Sequence, residues 1–316
     1  MARPRLLLDV DTGIDDAIML LYLGRQDAEI VAIGTVHGNC TADQAALNTL
    51  LTLERAGMSP CPVAVGARRP LAQPLSVSAD VHGGDGLGNA GLGSPAGQPS
   101  TEAAAAQLVR LARENPGELT VLATGPLTNL ALALLLEPAL PRLVRRVVVM
   151  GGAVSCPGNA TPQSEANIWH DPEAADLVLS ADWDLTLVGL DVTMQAVLRG
   201  ERLEQVAAAD TASARFATAI LSHYLDVYEL HLGERASAMH DPLAGAVALD
   251  PSYVGCVDLA IHVELRGEHS RGATLADLRG YPVDTSGGRR PAHVAMQVDR
   301  ERFLDDLVQS LVRPPA

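Results

Sequence analysis

Residues 5 to 20, Arg-Leu-Leu-Leu-Asp-Val-Asp-Thr-Gly-Ile-Asp-Asp-Ala-Ile-Met-Leu, constrain the fold more than any other stretch, because an apolar run gives way to four carboxylates within eight positions. Leu6, Leu7 and Leu8 have the pattern of a buried strand, Thr12 and Gly13 of a turn, and Ala17 through Leu23 of the start of a helix. Asp9, Asp11, Asp15 and Asp16 therefore fall where a strand ends. In an open parallel sheet, ligands bind in the crevice beyond the carboxyl ends of the strands, so these acids are expected at the functional edge. Carboxylates this close repel one another unless positive charge compensates, and a divalent cation bound through oxygen supplies it. A helix N-terminus also welcomes carboxylates, which accounts for Asp15 and Asp16 but leaves Asp9 and Asp11 unexplained.

Strand-like runs recur at 29–36, 62–65, 119–124, 145–150 and 184–190, and helical patterns at 41–57, 100–115, 127–137 and 171–181 lie between them. Such alternation predicts βαβ units and an α/β fold: one domain over residues 1–316 with a mostly parallel central sheet flanked by helices. The last third changes character, with residues 199–233 mainly helical, short strands and glycine-rich turns over 255–298, and a final helix from about Asp299. At 316 residues and 47% hydrophobic content the chain can bury a large core, and no linker divides it.

Charge and composition exclude several functions. A net charge of −15 repels phosphate backbones and anionic membranes, so neither nucleic acid nor a membrane is an expected partner. All 23 basic residues are arginine, which excludes Schiff-base chemistry and a P-loop lysine. Cys40, Cys61, Cys156 and Cys256 lie far apart and have no metal-type spacing, so they are expected as reduced thiols. With no signal-peptide pattern and no uninterrupted apolar run of spanning length, the expectation is a soluble cytoplasmic protein. Two glycine-rich loops, Val81–Asn89 and Met150–Asn159, suit close backbone approach to a ligand, yet neither has the spacing of a dinucleotide fingerprint.

Further candidates stand at the ends of the later strands. Val36-His37-Gly38-Asn39 follows the second strand, and Thr124-Gly125-Pro126-Leu127-Thr128-Asn129 has on its spacing alone the form of a strand-to-helix turn. Asn159, Glu165 and Asn167 offer donors and acceptors suited to sugar hydroxyls, or else belong to a polar surface loop. Met239-His240-Asp241-Pro242 matches a helix N-cap before proline. Tyr224 and Tyr228, one turn apart on the preceding helix, can share a pocket or simply pack.

Together these segments resemble the inosine-uridine nucleoside hydrolases, calcium-dependent N-ribohydrolases with a mostly parallel sheet. The likeness begins in Asp-Val-Asp-Thr-Gly-Ile-Asp-Asp and recurs at each strand end, with Thr12 in place of the usual proline, His37 where a small residue is usual, and Ala166 where phenylalanine is common. It implies that Asp11, Asp16, the Thr124 carbonyl and Asp241 hold Ca²⁺, which binds the ribose 2′- and 3′-hydroxyls and a water. Asp15 would be the general base, with Asp9 orienting its neighbours. Asn39, Asn159, Glu165, Asn167 and Asp241 would bind ribose. Tyr228 and His240 would flank the base, with His240 protonating it as it leaves, and His82 would be a further substrate-binding residue. The implied reaction is hydrolysis of the N-glycosidic bond of inosine, uridine and related ribonucleosides, in a homodimer or homotetramer.

Two rival readings remain. Leu-Leu-Leu-Asp-Val-Asp also resembles the nucleophile strand of haloacid-dehalogenase-type phosphatases, but Gly13 stands where those carry Thr or Val, and the phosphate-binding lysine is missing. A non-catalytic ribose- or calcium-binding protein on the same scaffold would not need Asp15 beside Asp16.

Overall fold

The apolar run that opens the chain forms strand β1 (Arg5–Val10), with Leu6, Leu8 and Val10 facing one core and Leu7 the other. A strand buried on both faces belongs at the centre of an α/β sheet. In the computed structural model, which describes residues 3–58, 60–279 and 289–314, the remaining strands are β2 (Glu29–Thr35), β3 (Val63–Val65), β4 (Leu119–Ala123), β5 (Arg146–Met150), β6 (Leu185–Val188), β7 (Val197–Arg199), β8 (Ala236–Ala238), β9 (Val254–Leu259), β10 (His262–Val263), β11 (Thr274–Leu275) and β12 (Ala292–Val298). Eight of them make one sheet in the order β3-β2-β1-β4-β5-β6-β12-β9. Every neighbouring pair is parallel except β12 and β9 at one edge. The expected mostly parallel α/β sheet is therefore present. Part of the expected glycine-rich turn region, residues 280–288, lies outside the described residues.

The two cores separate the helices into layers. Ile14–Leu23, Ala42–Ala56, Ala212–Leu232, His240–Leu249 and Arg300–Val312 cover one face; Ala104–Glu114, Thr128–Leu136 and Pro172–Leu179 cover the other. Caps read from the sequence mark their ends. Thr41 accepts a hydrogen bond from Gln44 N at 3.3 Å, and Gly57, at φ 64°, closes the same helix. The first helix begins at Ile14 rather than at Ala17, because Asp16 folds back to accept from Gly13 N at 2.9 Å. All ten of its residues are buried, which brings Asp15 and Asp16 inside the protein.

The order β3-β2-β1-β4-β5-β6 reverses direction between β1 and β4, the topological switch point where open sheets leave a crevice. Asn129 braces this point. Its Nδ2 donates to Asp9 Oδ1 at 2.7 Å and to the Thr35 carbonyl at 2.9 Å, while its Oδ1 accepts from Ala67 N at 2.8 Å. β1, β2 and the loop after β3 are thereby tied to the helix that follows β4. Burial pushes the Asp9 carboxyl up to about 7 even with this donor present. Asn129→Ala, which strips buried Asp9 and Ala67 of their partner, is expected to cost about 2 kcal/mol in urea unfolding; an unchanged midpoint would remove the brace.

Candidate active site

The ladder around β1 sets the positions of the acids. Val36 N donates to the Val10 carbonyl and Thr124 N to the Asp9 carbonyl, each at 2.9 Å, so the chain leaving β2 and β4 passes on either side of Asp11. Asp11 Oδ2 accepts from Asn39 N at 2.7 Å and its Oδ1 from Asn39 Nδ2 at 3.2 Å. Only glycine fits at residue 38, since a Cβ there would lie 2.0 Å from Asp11 Oδ2. Asp16 accepts from Asn39 Nδ2 at 3.1 Å and from the Thr124 hydroxyl at 2.8 Å. Asp241, in the first turn of its helix, completes the group. Asp15, Asp16 and Asp241 each offer one oxygen, all within 4.8 Å of one another.

Asp16 and Asp241 belong to the ligand set implied by the sequence, and Asp15, the expected base, stands with them. Asp11 lies beside the group, held by Asn39 and close enough to feel the charges of Asp16 and Asp15. The Thr124 carbonyl accepts from Asn167 Nδ2 at 2.7 Å, and the same amide donates to the Met150 carbonyl at 3.2 Å. Asn167 thus pins the ends of β4 and β5 together.

Burial raises all four carboxyls above the usual range. Asp15 is pushed up to about 8, first by desolvation and then by the charge of Asp16. Asp11, Asp16 and Asp241 move the same way, chiefly by desolvation, with neighbouring carboxylates adding to the rise in Asp11 and Asp241. No arginine among the described residues forms an ion pair with any of them. Asp15 Oδ1 is buried without a hydrogen-bond partner among the described residues, and the Tyr224 hydroxyl reaches Asp15 Oδ2 at 3.4 Å. Hard oxygen donors, uncompensated charge and an orphaned oxygen together fit a divalent cation.

Above the acids lies a cavity of about 300 Å³. Asp15, Asn39, His82, Thr124, Asn159, Glu165, Asn167, Tyr228, His240 and Asp241, all singled out from the sequence, line it. Glu165 caps its helix through Asn167 N at 2.9 Å and Ile168 N at 3.1 Å and accepts Gly152 N at 2.9 Å, so three amides hold a carboxyl that burial raises. Asn159 Oδ1 accepts from Ala166 N at 2.9 Å. His82 Nδ1 accepts from Ile14 N at 3.1 Å, so this ring caps the acidic helix as well as facing the cavity. The Tyr224 ring lies 5.3 Å from His82 and 4.9 Å from Tyr228, centroid to centroid. Tyr228 Oη is 2.6 Å from His240 Nε2, and His240 Nδ1 is 2.7 Å from Thr193 Oγ1. Desolvation lowers His82 to about 3 and His240 to about 4, so both rings are neutral near pH 7.

His170 and Thr193 escaped the sequence reading, and Tyr224 was left undecided by it. Tyr224, left open between pocket and packing, touches Asp15. His170 lines the cavity with its Nε2 3.1 Å from Ser78 Oγ, and Thr193 holds His240. Thr193 had one available signal, its place just beyond β6, the same strand-end position that marked the others.

An open α/β sheet with a buried carboxylate cluster at its switch point, facing a cavity of amides at one side and aromatic and imidazole rings at the other, suits an enzyme that hydrolyses a bond to a sugar. The family model described as inosine-uridine preferring nucleoside hydrolase matches residues 6–305, and the chain belongs to that family. It is 35% identical to the inosine-uridine preferring nucleoside hydrolase of Crithidia fasciculata, over 98% of each chain. It is 36% identical to the pyrimidine-specific ribonucleoside hydrolase RihA of Shewanella woodyi, again over 98% of each. The solved plant nucleoside hydrolase PpNRh1 superposes with a TM-score of 0.93 at 33% identity, covering 98% of this chain and 99% of that one.

The raised carboxyls give a stability signature. Below about pH 3 these groups are protonated in both folded and unfolded chains. As pH rises the unfolded chain ionises first, so without a cation the folded state loses stability steadily until about pH 8, where Asp15 titrates. The buried histidines, lowered to about 3 to 4, oppose this trend up to about pH 6.5, so chelated protein is expected to show a falling Tm between pH 7 and 8, with added Ca²⁺ raising Tm more at pH 8 than at pH 5. Differential scanning fluorimetry reads both, and equal calcium shifts at the two pH values would contradict this electrostatic account.

Proposed function

We propose that the protein is a Ca²⁺-dependent ribonucleoside hydrolase that cleaves the N-glycosidic bond of inosine, uridine and related ribonucleosides to ribose and free base. The observation that carries this reading is Asp15 Oδ1, a buried carboxylate oxygen without a partner, on the cavity wall beside Asp16 and Asp241. We take residues 1–316 as one catalytic domain and, as the family resemblance implies, as a cytoplasmic homo-oligomeric enzyme of nucleoside salvage.

Asp16, Asp241, Asp11 and the Thr124 carbonyl would hold the cation. When bound, it supplies positive charge that engages the ribose 2′- and 3′-hydroxyls, acidifies a water and returns Asp15 to its ionised form. Asp15 Oδ1 is the atom that takes the proton of the attacking water. Asn39, Asn159, Glu165 and Asn167 orient the sugar, whose ring gains oxocarbenium character as the bond to the base breaks. Tyr228 and His240 flank the departing base, which leaves more readily once protonated. Tyr224 widens the aromatic surface available for stacking, which supports cleavage of both inosine and uridine.

Free ribose released from inosine, uridine and cytidine, with and without chelator, tests the activity. Asp15→Asn is expected to retain stoichiometric calcium while kcat falls about 100-fold or more, whereas Asp16→Ala should lose both calcium and activity. Unchanged kcat in Asp15→Asn would remove Asp15 from the base role, and tight nucleoside binding without turnover in the parent protein would favour a binding protein instead.

The cavity wall also discriminates at the 5′ position. Asp80 and Glu165 line it, and no arginine does. A 5′-phosphate dianion placed near Glu165 meets repulsion with no basic side chain beside it among the described residues, so kcat/KM for uridine 5′-monophosphate is expected to fall about 100-fold below that for uridine. Comparable values would contradict the placement of Glu165.

A further inference from the structure

The segment between β6 and β7 carries none of the residues assigned to the substrate or the cation, yet it is strapped to both sides of the cavity. Its short helix, Leu190–Thr193, begins with Leu190 N donating to the Gly152 carbonyl at 2.8 Å. Asp191 accepts from Val154 N at 2.9 Å, Ser155 N at 2.7 Å and Ser155 Oγ at 2.6 Å, which fixes the glycine-rich loop after β5. At its other end Ala196 accepts from Met239 N at 2.9 Å, and Val197 pairs with Ala238. Thr193 and His240 are therefore held in register by backbone contacts on either side of their own. Thr193 is fully buried, and its Oγ1 lies 2.7 Å from His240 Nδ1, the one partner of that hydroxyl among the described residues.

A buried hydroxyl hydrogen is left undonated only at a cost, and an imidazole bearing one hydrogen accepts at one nitrogen and donates at the other. We propose that Thr193 donates its hydroxyl hydrogen to His240 Nδ1 and so holds the imidazole as its Nε2–H tautomer, which makes Thr193 the positioning residue for the donor chain facing the departing base. His240 Nε2–H then donates to Tyr228 Oη at 2.6 Å, and with the neighbouring Tyr224 hydroxyl also donating to that oxygen, the phenol's own hydrogen turns into the cavity that Tyr228 lines. The reverse order points the threonine hydrogen at a wall without an acceptor and turns the tyrosine hydrogen away from the base. Thr193 touches no substrate, and the consequence for the base rests on the reading of Tyr228 and His240 given under the proposed function.

The direct test is the tautomer of His240 in calcium-loaded enzyme with ¹⁵N-labelled histidine, read from long-range ¹⁵N–¹H correlation spectra and assigned with His240→Ala. Parent enzyme is expected to show the Nε2–H pattern, and an Nδ1–H pattern would overturn the proposal without any variant at position 193. Thr193→Val removes the hydroxyl at nearly constant volume and should shift His240 away from that pattern, with Thr193→Ser restoring it. An unshifted spectrum in Thr193→Val would also overturn the proposal. In kinetics, Thr193→Val should lower kcat for inosine about 10-fold with KM within about 2-fold, sparing a nitrophenyl riboside whose leaving group needs no proton. A tautomer shift with equal effects on both substrates would uphold the hold of Thr193 on the ring and overturn the placement of His240 at the base.

Discussion

The mutual repulsion of buried carboxylates at the β1/β4 switch point is the constraint on which the rest of the site depends. Two unit charges 4 Å apart interact by about 4 kcal/mol at an effective dielectric of 20, and Asp11, Asp15, Asp16 and Asp241 crowd together in such surroundings. The protein answers with neutral donors only. Asn39, Gly13 N and the Thr124 hydroxyl turn toward Asp11 and Asp16, which lessens the repulsion without cancelling it. What remains is a site whose free energy falls when a cation arrives. Stability and function are linked here through one charge imbalance, as is usual where binding energy compensates a poorly satisfied apo site.

The fold allows that imbalance because the acids sit on well-buried elements. Asp15 and Asp16 belong to a helix buried along its whole length, and Gly245 of the facing helix leaves room for Met19, since a Cβ at residue 245 would lie 2.9 Å from Met19 Cγ. The helix that opens with His240 and Asp241 is thus packed directly on the one that opens with Asp15 and Asp16. Both helices present their first turns to the same cavity, so the acids and the imidazole are delivered together. Loops supply the softer side. Asn159 and the Ser76–Asp80 stretch line the rim, whereas the groups assigned to proton transfer and cation binding come from helices and strand ends.

Much of this was legible in the sequence. The Leu6–Leu8 run, the strand-like segments that follow and caps such as Thr41, Asp171 and Asp299 announce the α/β order, because local hydrophobic periodicity and capping chemistry are written in adjacent residues. The acids, Asn39, Glu165, Asn167 and His240 were legible for a related reason: each stands just beyond a strand or at a helix start, where a parallel sheet places its ligand groups. Tertiary structure alone decided how they share the work. Asp15 and Asp16, set on the first helix by the turn at Gly13, meet Asp241 from a helix far along the chain, while Asn39 holds Asp11 beside them. Tyr224 and Thr193 become partners of Asp15 and His240 across separations of 209 and 47 residues, contacts that no local pattern encodes. Thr193 shows the limit most clearly. In sequence it is one threonine after a strand; only the pairing of β7 with β8 and the Met239–Ala196 bond bring its hydroxyl to the imidazole.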